Sequence, residues 1–304
     1  MRASWTLATL LPLSVFAQQS VSSNVYDKIV RYTSFCAAAY ADDCATPPFN
    51  STIVKTFDDK ATDTQATLFR DDSAKEVIIA FRGTSTPRDL DSDISFVLVP
   101  LSLAGAKCSD CKVHQGFQSA YSSIASQVSS AIQSELSSNS SSRLIVTGHS
   151  LGGAIAALAT ASLAGQGIKV AETYTFGEPR NGDSQWAKYV SQQVPDSDYY
   201  RVTHFNDGVP QIPPPLLGYT HHGDEYWMSK EKGNSVGTTV KCGSDSKHVV
   251  QSFPRCGEDT DRTGPDWTAF DWNEGSKGGG GGQVAERHGT VAAYVAPYYR
   301  AEPD

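Results

Sequence analysis

Leu144-Ile145-Val146-Thr147-Gly148-His149-Ser150-Leu151-Gly152-Gly153 is the stretch from which the rest of this chain is read outward. Leu144 to Thr147 reads as a strand, and Leu151 to Gly165, rich in alanine, as a helix. Between them Gly148-His149-Ser150-Leu151-Gly152 matches G-x-S-x-G. A turn this sharp brings the side chains two before and two after the serine into collision, which glycine avoids. The serine hydroxyl then stands exposed at the corner, and the following helix N-terminus lends N–H groups and the positive end of its dipole. A bare G-x-S-x-G is compatible with a plain turn; its place between strand and helix selects the elbow.

The segments on either side follow the same alternation. Glu76 to Phe81 is a nearly continuous apolar run, as a strand buried on both faces requires. Phe117 to Leu136 is an amphipathic helix with Tyr121, Ile124, Val128, Ile132 and Leu136 on one stripe. Val25 to Tyr40 shows the same period, with Asn24 as its N-cap. Val170 to Phe176 and Tyr199 to Phe205 read as strands, and Ser184 to Gln193 as a helix between them. Strands alternating with helices predict an α/β fold, a mostly parallel central sheet with helices on both faces.

The 304 residues carry a formal charge of -8 with no basic run, which argues against a nucleic-acid binder or a protein held on anionic lipid by charge. Met1-Arg2, the apolar Leu7 to Phe16 and the small Ala17 form a secretory signal pattern over residues 1–17. Losing Arg2 there changes the mature charge from -8 to -9. The apolar run is shorter than the ~20 residues a membrane span needs, and no later stretch is long enough. The expectation is a secreted, extracellular chain whose residues 18–304 form a single domain and act as a monomer. Secretion makes the six cysteines readable as disulfides, with Cys36/Cys44, Cys108/Cys111 and Cys242/Cys256 as local pairs. A zinc reading of Cys108 and Cys111 lacks a second pair of ligands at suitable spacing, so no metal is expected. Asn50 and Asn139 open glycosylation sequons. Gly275 to Gln283, with five consecutive glycines, reads as a flexible loop.

A serine hydroxyl needs a base and an orienting carboxylate, in the chain order Ser, acid, His for this type of corner. Asp207 lies just past the end of a predicted strand, where loops gather in parallel sheets; the other reading is a turn-forming Asp in Asn206-Asp207-Gly208. His221, His222, His248 and His288 follow it, and His288, before the apolar Val291 to Val295 segment, is selected on position. His149 cannot easily face the serine beside it. An oxyanion needs two donors: the Leu151 N–H, and Thr84 in the Phe81-Arg82-Gly83-Thr84 turn that leaves the Glu76–Phe81 strand. The same four residues are equally compatible with a simple strand-end turn.

These residues resemble the fungal class 3 lipase family, which also includes type-A feruloyl esterases. Phe-Arg-Gly-Thr at 81–84, Gly-His-Ser-Leu-Gly-Gly at 148–153 and Thr-Phe-Gly-Glu-Pro-Arg at 175–180 carry the likeness. So do Arg201 to His204, Asn206 to Pro210 and His222 to Trp227, and the likeness runs from Val25 to about Cys242. The resemblance implies an α/β-hydrolase fold and a triad falling on Ser150, Asp207 and His288, with Thr84 and Leu151 as oxyanion donors and no cofactor. A Cys108–Cys111 bridge also looks like the family's. Two departures stand out. No cysteine follows His288 to tie the C-terminus back, so a Cys36–Cys44 bridge is expected to replace that tie. Residues 258–283, with Trp267 and Trp272, look like an insertion just before His288.

The family's specificity segment corresponds to Ser85–Pro100. Arg88, Asp89, Asp91 and Asp93 make its first half polar, as in an esterase flap, while Leu90, Ile94, Val97 and Leu98 fall at helical spacing, as in a lipase lid. Where a flap would carry a phenol-binding tyrosine stands Phe96, which cannot donate a hydrogen bond. Phe96 to Leu101 makes the rim apolar, as an acyl chain requires, though a buried strand would read alike. The expected substrate is an acylglycerol ester at a lipid–water interface, with a feruloylated saccharide as the alternative. A silent ligand-binding relative would lack a triad member, and none is missing.

Overall fold

The computed structural model describes residues 19–41, 46–84 and 95–242. The proposed signal segment, Cys44, Leu90, Ile94, His248, Cys256, the 258–283 insertion, His288 and the Val291–Val295 segment lie outside them.

The apolar run at Glu76–Phe81 forms β4, and the strand before the elbow, Arg143–His149, forms β7. They pair in parallel from Glu76 opposite Arg143 to Phe81 opposite Gly148. Val170–Phe176 (β8), Tyr199–His204 (β9) and Glu225–Met228 (β10) continue the parallel set. Antiparallel strands flank it: β2 (Thr52–Asp59) and β3 (Thr64–Asp71) beside β4, and β11 (Thr239–Cys242) with the short β1 (Gln19–Ser20) beside β10. The described residues thus contain a nine-stranded, mostly parallel sheet. A separate two-stranded ribbon joins β5 (Leu98–Pro100) to β6 (Lys112–His114).

Both faces are covered, which explains why the central strands read as continuous apolar runs. On one face Val77, Ile79, Phe81, Leu144 and Val146 pack in one core with α2 (Gln115–Ser138), α3 (Leu151–Gly165) and α4 (Ser184–Gln193). On the other, Ile78, Ala80, Ile145 and Tyr174 meet α1 (Ser23–Ala38). The α3 helix is apolar nearly all round because it is buried under α2 and α4 as well as on the sheet. Its small residues permit close contact: a Cβ at Gly165 would lie 2.2 Å from the Gly105 carbonyl oxygen.

Three expectations are corrected and one disulfide is borne out. The N-cap of α1 is Ser22, whose hydroxyl accepts from the Val25 N–H at 3.3 Å, so the helix starts before Asn24. Val97 and Leu98 do not continue a helix, because the backbone there pairs antiparallel with β6; the Gln115 N–H donates to the Val97 carbonyl at 2.9 Å. Cys36 is a free, buried thiol rather than half of a Cys36–Cys44 bridge. The inward face of α1 turns it onto β7, 3.1 Å from Thr147 Oγ1, so local spacing did not set its partner. Cys108 and Cys111 do form a disulfide, which removes the zinc reading. Cys242 is disulfide-bonded, and Cys256, its expected partner, lies outside the described residues.

Asn50 is exposed, while Asn139 caps α2 and its amide donates to the Glu135 carbonyl at 3.1 Å. No helix among the described residues is long and apolar enough to cross a membrane.

Candidate active site

Ser150 lies between β7 and α3 with φ 56° and ψ -126°, a backbone conformation that L residues avoid at a cost of about 1–3 kcal/mol. The surroundings over-determine it. The Ser150 N–H donates to the Phe176 carbonyl at 2.8 Å, and its carbonyl accepts from the Gly153 N–H at 2.8 Å. A Cβ on Gly148 would fall 2.1 Å from the Gly152 carbonyl oxygen, and one on Gly152 would fall 2.2 Å from that of Phe81. Both glycines of the motif are therefore required by backbone contact, as the sequence predicts for an elbow. Leu151 is the first residue of α3, so its N–H has no acceptor within the helix and is available to an incoming anion.

Because β4 runs beside β7, the chain leaving Phe81 passes directly over the elbow. A Cβ on Gly83 would sit 2.7 Å from the His149 carbonyl oxygen and 3.2 Å from Ser150 Cβ. Thr84, the next residue, is half-buried. Two ties hold this turn. The buried Arg82 guanidinium donates to Asp63 Oδ1 at 2.7 Å, and its N–H donates to the Gln65 carbonyl. The Gly83 N–H donates to the Tyr40 hydroxyl at 3.1 Å.

His149 points away from the serine, with its Nδ1 2.8 Å from the Tyr40 hydroxyl. Burial pushes its pKa down to about 4, so the ring is neutral at ordinary pH.

Asp207 is half-buried just beyond the C-terminal end of β9, two strands from β7. Its N–H donates to the His204 carbonyl at 2.8 Å and its Oδ1 accepts from the Val209 N–H at 3.0 Å. The turn-forming role is thus real and coexists with its place on the same edge of the sheet as Ser150. Of the other histidines, His222 is committed elsewhere: its Nε2 lies 2.8 Å from Glu178 Oε1 in the interior. His221 Nε2 faces the Pro210 carbonyl at 2.8 Å. Neither is placed as a base for Ser150. His288 lies outside the described residues.

The Thr175–Arg180 motif, to which sequence reading attached no role, is the brace beneath this edge. Burial alone would raise the Glu178 carboxyl, but the charge and hydrogen bond of His222, with Thr175, hold it below the ordinary carboxylate range. Glu178 also accepts from Asn181 and from the Tyr199 hydroxyl. The fully buried Arg180 donates to the Gln211 and Pro213 carbonyls, pinning the loop that follows Asp207. The contacts to Tyr199, Gln211, Pro213 and His222 join residues far apart in the chain, so only the run of buriable polar residues hinted at them.

Of the three residues expected on the specificity segment, Phe96 is described and Leu90 and Ile94 are not. Phe96 is half-buried, 6.4 Å edge-on from the ring of His114, which stacks on Phe117 at 3.9 Å. The rim there is aromatic, with Val97 exposed beside it. Among the described residues no group of three His, Cys, Asp or Glu side chains could hold a metal.

Residues 78–217 match the lipase (class 3) family model. The secreted mono- and diacylglycerol lipase 1 of Fusarium solani is 36% identical over 158 residues, covering 52% of this chain and 45% of that protein. The chain therefore spans about half the length of the curated relatives it matches. Among solved structures, the native propeptide complex of Rhizomucor miehei lipase superposes with a TM-score of 0.65 at 30% identity, covering 77% of this chain and 80% of that one. A triacylglycerol lipase whose catalytic centre is described as a serine protease triad superposes with a TM-score of 0.66, at 30% identity and 74% and 86% coverage. With the strand–serine–helix corner and the parallel sheet in place, these likenesses make the fold that of an α/β hydrolase. The chain belongs to the class 3 lipase family.

Proposed function

We propose that this protein is a secreted serine ester hydrolase acting on acylglycerols through Ser150, Asp207 and His288. The observation that carries the reading is the juxtaposition of the strained Ser150 corner with the Gly83–Thr84 turn and the first N–H of α3. That close approach supports a site in which the serine hydroxyl and two backbone donors serve one carbonyl, which is what acyl transfer needs. Supporting it, the matched Fusarium relative is named a secreted mono- and diacylglycerol lipase, and a superposing structure is that of a triacylglycerol lipase.

In the first half-reaction Ser150 Oγ bonds to the ester carbonyl carbon as His288 takes its proton, with Asp207 holding the imidazole. The Thr84 and Leu151 N–H groups receive the oxyanion. Collapse breaks the bond to the alcohol, which leaves with the proton from His288. Water then attacks the acyl-enzyme by the same route and frees the acid.

The test compares hydrolysis of emulsified tributyrin with that of methyl ferulate by the purified secreted protein. Preference for the emulsion is expected; preference for methyl ferulate would turn the reading into that of a feruloyl esterase. Ser150→Ala should lose on the order of 10⁴-fold or more in kcat with an unchanged melting temperature, and a variant that kept most of its activity would overturn the triad.

A further inference from the structure

Tyr40 closes the turn after α1, far in sequence from every candidate catalytic residue, yet its phenol lies between the two segments that the proposed reaction must hold together. The hydroxyl is 3.1 Å from the Gly83 nitrogen and 2.8 Å from His149 Nδ1, and the side chain is buried. The Gly83 N–H can only donate, so the phenol oxygen accepts there and its own hydrogen goes to His149 Nδ1. One hydroxyl thus spans the strand end that leads to Thr84 and the residue immediately before Ser150. The fit is tight: a Cβ on Gly83 would come 2.2 Å from the Tyr40 oxygen, so glycine is what lets the phenol reach the backbone. The two rings meet at 60° with centroids 5.8 Å apart, which fixes the His149 plane. Burial keeps His149 neutral and raises the Tyr40 hydroxyl, so the bridge holds its protons in one arrangement.

The Gly83–Thr84 peptide follows the bridged N–H directly. Its orientation decides whether the Thr84 N–H points at an oxyanion on the Ser150 adduct. The Arg82–Asp63 pair anchors the same turn from the solvent side, where Asp63 is largely exposed. Tyr40 is the buried tie, on the side that faces the elbow.

We infer that Tyr40 is a positioning residue for ester hydrolysis, its hydroxyl holding the Gly83–Thr84 turn in register with Ser150 so that the Thr84 N–H meets the oxyanion. This rests on the hydrolase reading above. The charge on an oxyanion develops only in the transition state, so loosening the turn lowers kcat and leaves substrate binding alone.

The experiment is Tyr40→Phe, which removes one oxygen and keeps the ring. Hydrolysis of p-nitrophenyl butyrate and binding of phenylboronic acid, whose tetrahedral adduct on Ser150 presents an oxygen to the same donors, are measured together. The expected result is a kcat lower by roughly tenfold to a hundredfold, KM within about twofold, and boronate affinity weakened by the same factor as kcat. A purely structural role would lower the melting temperature without that matched loss. An unchanged kcat, or a kcat loss without weaker boronate binding, overturns the inference while leaving the hydrolase reading intact. An inactive wild type overturns both. If Tyr40→Phe does not fold, His149→Phe removes the other end of the bridge and carries the same test. Failure of both variants to fold would assign the bridge to folding and overturn the inference.

Discussion

The two edges of the parallel sheet solve opposite problems. At the N-terminal edge charges are buried and compensated. Glu76, at the start of β4, accepts from the Tyr32 hydroxyl at 2.7 Å, from Arg143 at 2.6 Å and from Arg31 at 2.8 Å. Asp71 shares Arg31, and Glu172 draws Lys28 and Arg143 into the same cluster. At the C-terminal edge the contact between the Gly83 turn and the residue before Ser150 is made by a phenol, an unprotonated imidazole and a backbone amide, while the Arg82–Asp63 pair and the Glu178 carboxylate brace the segments around it. The first arrangement locks register between β4, β7, β8 and α1. The second holds one strained residue, Ser150, against the turn that leaves β4.

Gly148→Ala breaks the C-terminal edge most severely. The added Cβ meets the Gly152–Gly153 peptide, with Gly152 O at 2.1 Å as the nearest atom, so no side-chain rotation relieves it. The expected result is destabilisation of about 3 kcal/mol and a loss of about a hundredfold or more in kcat. Urea unfolding followed by tributyrin hydrolysis on the folded fraction would show both.

Glu76→Gln attacks the other edge and separates stability from activity. It leaves two guanidinium groups facing an amide in a buried position, at an expected cost of about 3 kcal/mol. On the folded fraction kcat should stay at the wild-type value, because the cluster lies at the far ends of the strands. A comparable loss in kcat would mean that the two edges are coupled through β4 and β7.

Acid distinguishes the edges more gently. Burial pushes His149 and His114 down to about 4, against an ordinary histidine value near 6.5. Between those values the unfolded chain binds protons that the folded one does not. Their stabilising contribution is therefore present above about pH 6.5 and is lost as pH falls to about 4. Asp71 behaves differently: burial raises its carboxyl, but hydrogen bonds from Ser73 and Arg31 outweigh that and hold it low. Its contribution is present above the ordinary aspartate range and is lost only as pH falls through its lowered value. The urea midpoint should decline between pH 6.5 and 4, and Glu76→Gln should leave that slope unchanged.

Which parts were legible follows from the range of the forces involved. The Ser184–Gln193 helix and the Val170–Phe176 strand have the bounds that periodicity predicts, because burial on a flat sheet imposes a regular spacing. The elbow was legible because its motif is five residues long and Gly148 is demanded by contact with Gly152, although Gly152 is itself demanded by the distant Phe81 carbonyl. Strands β2, β3, β10 and β11 were not read; β2, for one, lies at the sheet edge with half its residues exposed, and its alternation is weak. Cys36 misled because cysteine spacing says nothing of which way a helix turns its inner face. The part of the specificity segment at Val97–Pro100 misled because a stripe at helical spacing is also compatible with a short strand whose partner, β6, lies beyond the next disulfide.

By itself, the sequence determined the alternation of strands and helices, the serine corner and an acid beyond a strand's end, because each shows in a pattern a few residues long. Tertiary structure alone decided that Phe81–Thr84 lies over that corner, that Glu178 and Arg180 brace the loop after Asp207, and that Tyr40 bridges Gly83 and His149. Those relations come from the order of strands in the sheet and the face of α1 that meets it. No local pattern encodes a hydrogen bond between residues 109 positions apart; only the packed sheet brings them within reach.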